Sequence, residues 1–201
     1  GASALMQGLA DGYFIIPYTI GSYLAEAPLG KIDEDHKEFN MSYQKVEARI
    51  NKLISIEGKR TVDNFHRELG NILWEYCGMS RNNSGLKKAK KLIKDLRTEY
   101  WENVLVGGSE QNFNQSLERA WRVADFLEFG ELMVTDALER QESCGGHFNE
   151  KFQTGENEAL RDDKHFCHVS AWEFNGDKRK PKFHKEPLTF ENVELTQRSY
   201  K

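Results

Sequence analysis

The side chains best equipped for chemistry stand late in the chain. Cys144, His147, His165, Cys167 and His168 are ligand types of a tetrahedral zinc site, in the order Cys-x-x-His … His-x-Cys-His. Their spacing argues against a site, because donors at 165, 167 and 168 would crowd one another, and patterns of this kind match by chance often. No metal is therefore expected. Glu139, Glu142, Asp162 and Asp163 supply carboxylates, yet nothing in their spacing pairs two of them for general acid–base work. No Gly-x-Gly-x-x-Gly loop, Walker motif or serine elbow occurs. Cys77 falls within an apolar helical pattern and reads as a small core residue. Three cysteines without tidy spacing do not make a disulfide framework, which suits a reducing compartment.

The elements that must position these residues are helical. From Asp35, Phe39, Tyr43, Val46, Ile50 and Leu53 recur three and four apart and predict a helix ending near Gly58. A second helix follows Thr61 as N-cap, with Val62, Phe65, Leu69, Ile72 and Tyr76 as its stripe and Gly78 as its stop. After the turn Arg81–Gly85, with Ser84 as candidate cap, a third helix carries Leu86, Ala89, Ile93, Leu96, Tyr100 and Val104 to Gly107–Gly108. A fourth runs from about Phe113 to Glu142 on Phe113, Leu117, Ala120, Ala124 and Leu127, its face widened by Trp121, Phe129, Met133 and Leu138. Short connections between long helices predict antiparallel neighbours, and no repeat points to a solenoid. Beyond Ser143 the periodicity stops. His165–Phe174 alternates, and Gly176-Asp177 turns it back toward Lys182–Lys185 as a small hairpin with an extended tail across the bundle.

Composition bounds the partners. Among 201 residues, 28 Lys and Arg against 32 Asp and Glu give a net charge of −4, which argues against a general nucleic-acid binder. Lys87, Lys88, Lys90, Lys91, Lys94 and Arg97 make the third helix basic. This is a solvated face, or else a dock for an acidic partner. It has no interleaved aromatics to stack nucleic-acid bases.

The opening is different in kind. Ala4, Leu5, Met6, Leu9, Ala10, Tyr13, Phe14, Ile15, Ile16, Tyr18, Ile20, Tyr23 and Leu24 cover most of a helix circumference, whereas Gln7, Asp11, Gly12, Pro17 and Gly21 break it as a membrane span. A helix apolar all round is normally enclosed on all sides. Residues 1–30 therefore read as the last helix of a larger domain whose other parts lie outside this chain, 31–143 as a helical bundle and 144–201 as the tail. The fold expected is mainly α: an antiparallel three- to four-helix bundle with a leftover N-terminal helix and an extended, hairpin-bearing C-terminus.

Three segments, in register, resemble the flavoprotein subunit of succinate dehydrogenase and fumarate reductase. Gly1-Ala2-Ser3-Ala4-Leu5 is similar to the Gly-(Ala/Gly)-Asn-Ser-Leu opening the last helix of that family's FAD domain. Arg67-x-Leu69-x-x-x-Leu73-x-x-x-x-Gly78-x-x-Arg81, with Gly85-Leu86, resembles its C-terminal bundle. Glu142-Ser143-Cys144-Gly145-Gly146-His147, with Arg161-Asp162-Asp163 and His168, resembles its Glu-Ser-Arg-Gly-Ala-His … Arg-Asp-Asp … His pattern. Arg198-Ser199-Tyr200 resembles the family's terminus.

The resemblance implies that the helix start lies beside the flavin, with Ala4 and Leu5 at FAD-contacting positions and Ser3 able to cap the helix. Ala4 offers no hydroxyl, so only a backbone N–H contact carries over. Catalytic residues are expected upstream of Gly1, and no FAD is expected bound to this stretch alone. Glu142, His147, Arg161 and Asp162 are expected to form a structural polar network. Cys144 stands where arginine is common and cannot clamp a carboxylate bidentately. The implied partners are the chain's own FAD domain, an iron–sulfur subunit and a membrane anchor. The implied place is the cytoplasmic face of the inner membrane, held peripherally. Residues 3–26, left bare, would drive artificial oligomers. An L-aspartate oxidase-like flavoprotein and a stand-alone helical interaction module remain as alternatives.

Overall fold

A computed structural model of the protein describes residues 2–27, 30, 32–108, 113–176 and 179–197, with the side chains of Ala2 and Ser3 outside that description. The order of elements is α1 (Ala2–Ala10), a π turn (Asp11–Ile15), α2 (Ile16–Glu26), α3 (Lys37–Ser55), β1 (Arg60–Thr61), α4 (Val62–Cys77), α5 (Asn83–Asn103), β2 (Val104–Leu105), α6 (Gln115–Glu139), α7 (Asp163–Phe166), β3 (His168–Glu173) and β4 (Lys182–Pro187). The chain divides into two compact units, Gly1–Ala48 and Arg49–Lys201.

In the first unit the apolar opening is helical, but its turn widens to π geometry at Asp11–Ile15. Pro17, which has no N–H to donate, follows directly on this widened turn as the second residue of α2. No described side chain of α1, the π turn or α2 is buried. The stripe of α3 forms as its spacing predicts, but Phe39, Tyr43 and Val46 are exposed and only Leu53, in the second unit, is buried. Apolar periodicity thus gave the helix but not its burial.

The second unit is built on three helices. Thr61 caps α4, its Oγ1 accepting the Asn64 N–H at 3.3 Å. β1 and β2 pair in parallel, Arg60 with Val104 and Thr61 with Leu105, so the start of α4 lies beside the end of α5 and the two helices run antiparallel. Asn83 meets Gln141, and the Tyr100 hydroxyl donates to the Ala120 carbonyl at 2.5 Å, which sets α5 antiparallel to α6. α4 and α6 then run the same way, as the Asp63–Arg119 and His66–Phe126 contacts confirm.

The stripes meet in one core around Phe65, Leu86, Ile93, Tyr100, Val104 and Leu127, each fully buried, with Phe65 edge-on to Tyr100 at 5.1 Å. Each such side chain contributes about 1.5–3 kcal/mol through lost apolar hydration. Burial pushes the Tyr100 phenol far above its ordinary range. At Gly58 an added Cβ would lie 2.1 Å from the Asn103 carbonyl, so only glycine lets the chain cross the end of α5 into β1.

Several expectations are corrected. Asn82, not Ser84, caps α5: its Oδ1 accepts from Gly85 N at 2.8 Å and from the Ser84 hydroxyl. α5 stops at Asn103 rather than at Gly107, because Val104 and Leu105 are drawn off to pair with β1. α6 spans 115–139 rather than 113–142. Asn114 is its cap, and Phe113 is 92% exposed. Phe129 and Met133 do not widen the buried face; with Leu73, Gly70 and His66 they line an open apolar groove between α4 and α6.

The hairpin is present as β3 and β4, antiparallel in register His168↔Pro187 through Glu173↔Lys182. His165 belongs to the short helix α7 instead of to β3. Gly176 turns at φ +97°, and Asp177 lies outside the described residues. Trp172 ties the hairpin to α6, its Nε1–H donating to Asp136 at 2.7 Å. The bundle-with-hairpin architecture is the fold class the sequence predicts.

Candidate functional site

Where α6 ends, the chain leaves helical geometry at Arg140 (φ −83°, ψ 99°) and crosses the turn between α4 and α5. Backbone bonds fix the crossing: Arg81 N donates to the Phe148 carbonyl, and Glu150 N to the Arg81 carbonyl. Ser143 and Asn149, both fully buried, lock the intervening loop, the Ser143 hydroxyl accepting from Asn149 N and donating to its carbonyl. Asn149 also donates to Asn83 at the start of α5.

Into this seam come three of the predicted residues. Glu142 is 2% exposed, and both of its oxygens are used: Oε1 takes Arg140 Nη1 at 2.5 Å and Oε2 takes the Asp162 N–H at 2.8 Å. A buried carboxylate is tolerated only with such pairing. His147 lies between two arginines. Its Nδ1 faces Arg81 Nη1 at 3.0 Å and its Nε2 faces the Arg140 carbonyl at 3.0 Å. A guanidinium can only donate, so Nδ1 is the acceptor and Nε2 carries the proton. Burial, followed by the positive charge of Arg81 and Arg140, holds the His147 pKa below the ordinary histidine value. Asp162 joins through its backbone. Its side chain instead caps α7 and pairs with His165 at 2.8 Å, a hydrogen bond that lowers the carboxyl pKa.

Arg161 is not brought to Glu142 or His147. It forks onto Asp163 at 2.9 and 2.7 Å and reaches the Thr196 carbonyl. The residue that sequence reasoning missed is Arg140, which binds Glu142, donates to the His168 carbonyl at 3.1 Å and lies over the Phe166 ring. Its position at the end of a helical stripe, two residues before a carboxylate, was the available signal. Cys144 is a weak nucleophile, because burial and then Glu142 push its thiol pKa up.

Ala4 and Leu5 stand exposed in the first turns of α1, in the other unit. Ser3 is the second residue of α1 rather than a residue ahead of it, and its side chain, like Arg198–Tyr200, lies outside the described residues. Among the described residues, no group of three or more His, Cys, Asp and Glu is placed to hold a metal, and no helix is long and apolar enough to cross a membrane.

From residue 66 to residue 200 the sequence matches the family profile described as the fumarate reductase flavoprotein C-terminus. The chain belongs to this family. It is 23% identical over 147 residues to a fumarate reductase flavoprotein subunit of Haemophilus influenzae, covering 73% of this chain and 24% of that protein. It is 36% identical over 86 residues to a chloroplastic L-aspartate oxidase of Nicotiana tabacum, covering 43% of this chain and 13% of that one. The fold of a chain from E. coli quinol fumarate reductase superposes with a TM-score of 0.71 at 20% identity, over 86% of this chain and 28% of the other. The chain thus spans under a third of each relative. The seam belongs to the C-terminal domain of a flavoprotein oxidoreductase family, and the profile covers all four predicted network residues together with Arg81 and Arg140.

Proposed function

We propose that this chain is the C-terminal helical part of a flavoprotein subunit that interconverts succinate and fumarate. The observation that carries the reading is the profile match across 66–200, a range that takes in bundle, seam and hairpin. In this role the domain is a support. The three helices share one buried core, and the Arg81–His147–Arg140–Glu142 seam ties the tail to it.

FAD would supply hydride transfer when bound. What this chain offers it is the start of α1: Ala4 and Leu5 are exposed there, and first-turn N–H groups have no partner within a helix, so they suit an electron-rich flavin edge. Ala4 can contribute no side-chain hydrogen bond. Groups that bind the dicarboxylate or take up hydride belong to polypeptide preceding Gly1. The expected partners are that FAD domain, an iron–sulfur subunit accepting electrons and a membrane anchor delivering them to quinone. The complex would sit peripherally on the cytoplasmic face of the inner membrane.

A second reading, an L-aspartate oxidase-type flavoprotein, is favoured by the higher identity to the tobacco enzyme. One experiment separates the two: purify the natural polypeptide that carries this chain, record its flavin spectrum, and assay fumarate with reduced viologen beside L-aspartate with peroxide detection. Flavin with fumarate reduction supports the proposal. Flavin with aspartate oxidation transfers it to the second reading, and absence of flavin overturns both. Residues 1–201 alone should show neither bound flavin nor fumarate reduction; stoichiometric FAD uptake would refute the placing of the pocket upstream.

A further inference from the structure

The turn of the C-terminal hairpin holds the sole Asn-Gly dipeptide of the sequence, Asn175-Gly176. β3 ends at Glu173 and β4 begins at Lys182, so the pair lies outside the hydrogen-bonded ladder, and Asn175 is exposed. Gly176 sits at φ +97°, a conformation that favours glycine, and has no Cβ to shield its own nitrogen. Its carbonyl accepts from Arg179 N at 3.1 Å; among the described residues, its N–H meets no hydrogen-bond acceptor.

From this juxtaposition of side-chain amide and unhindered backbone nitrogen we infer that Asn175 is a deamidation site, which turns the hairpin turn into a spontaneous chemical clock. Gly176 N loses its proton and attacks Cγ of Asn175. The new C–N bond closes a five-membered succinimide, and the Cγ–Nδ2 bond breaks to release ammonia. Water then opens the ring at one of its two carbonyls, giving aspartate or isoaspartate at position 175. One water is consumed and one ammonia released, with no oxidant or metal involved.

The structure also selects against the other candidates. Asn83-Ser84 has the next least hindered follower, but Asn83 begins α5. There its Nδ2 donates to Gln141 and its Oδ1 accepts from Asn149, which holds the amide away from the Ser84 nitrogen. Asp11-Gly12 could close the same ring, but it lies in helical geometry and would release water rather than ammonia. The product at position 175 is a new carboxylate near the basic run Arg179, Lys180 and Lys182. Its isoaspartyl form inserts an extra backbone carbon next to the Glu173↔Lys182 pair.

The test is an incubation of the whole chain in mildly alkaline buffer, followed by proteolysis and mass spectrometry. The peptide bearing Asn175 should acquire the mass of an amide-to-acid exchange and split into aspartyl and isoaspartyl forms. An isoaspartyl methyltransferase should label the second form, ammonia should appear in step with it, and the Asn83 peptide should stay intact. N175Q, on an exposed side chain that leaves the fold alone, should abolish ammonia release and methylation. The inference fails if Asn175 keeps its amide as long as Asn83 does, or if the native chain converts several-fold more slowly than a free peptide spanning 172–181.

Discussion

The opening helices and α5 differ in what helical order achieves. Both carry abundant apolar residues at helical spacing. α5 buries Leu86, Ala89, Ile93, Leu96 and Tyr100, whereas the described side chains of α1, the π turn and α2 bury none. In α5 the apolar positions occupy one stripe, so two neighbouring helices suffice to cover them. In the opening segment they surround the axis, and no single neighbour could do so. A stripe specifies its own partners, while an all-round apolar helix only demands enclosure. The largest test of this contrast is Phe65→Ala. It should cost about 3–5 kcal/mol, read by denaturant unfolding of the whole chain, because Phe65 is fully buried and edge-on to Tyr100. A loss below about 1 kcal/mol would mean that the bundle tolerates voids as the opening helices tolerate water.

The seam tests whether polar contacts attach the tail as firmly as apolar ones hold the bundle. Arg140→Ala leaves Glu142 buried beside only the Asp162 N–H and should cost about 3 kcal/mol. Glu142→Gln should cost less: its amide oxygen still accepts from Asp162, and although its NH2 then faces Arg140, that guanidinium is part-exposed and keeps the His168 carbonyl, so no deeply buried charge is left alone. If the two variants melt alike, the charge of Glu142 is irrelevant and the seam is held by shape alone.

The bundle was legible because its signals are local: Thr61 before an apolar stripe, Gly78 after it, stripes three and four apart. Where long-range pairing competed, the sequence misled. Val104 continues the α5 stripe by type and is buried, yet its backbone leaves the helix to pair with Arg60. Phe129 and Met133 line an open groove beside α4 instead of the closed core, a fact that no spacing within α6 records. At the seam, the family resemblance singled out Glu142 and His147, and the structure places both against Arg140, but partner choice did not follow from order. Arg161 takes the carboxylate two residues on, and Arg140 takes Glu142. Sequence proximity to Asp163 decided the first, and the backbone bend at the end of α6 decided the second.

A smaller effect should appear with pH. His147 is neutral in the folded seam, with Nδ1 accepting from Arg81, and its folded pKa is held below the unfolded one by burial and then by Arg81 and Arg140. Protons therefore bind the unfolded chain more readily. The contribution is complete above the ordinary histidine range and is lost as pH falls through the depressed folded value. Melting measured down a pH series should show this loss, and His147→Gln should flatten it while leaving the other acid transitions in place. A native slope unchanged in the variant would assign the acid sensitivity to other groups.

The smallest expected effect falls on the opening helices. Leu5, Tyr13 and Tyr18 are 77%, 73% and 73% exposed. Replacing them together with glutamine removes apolar surface that the folded chain never buries, so unfolding of the Arg49–Lys201 unit should move by no more than about 0.5 kcal/mol. Self-association is where the change should register, because contiguous exposed apolar surface drives aggregation in water. Analytical ultracentrifugation should show the native chain forming concentration-dependent oligomers and the triple variant shifting toward monomer. A native chain that stays monomeric at every concentration, or a variant whose bundle loses several kcal/mol, would mean that these side chains have partners within the chain. The contrast between a self-sufficient stripe and an uncovered helix would then be wrong at its root.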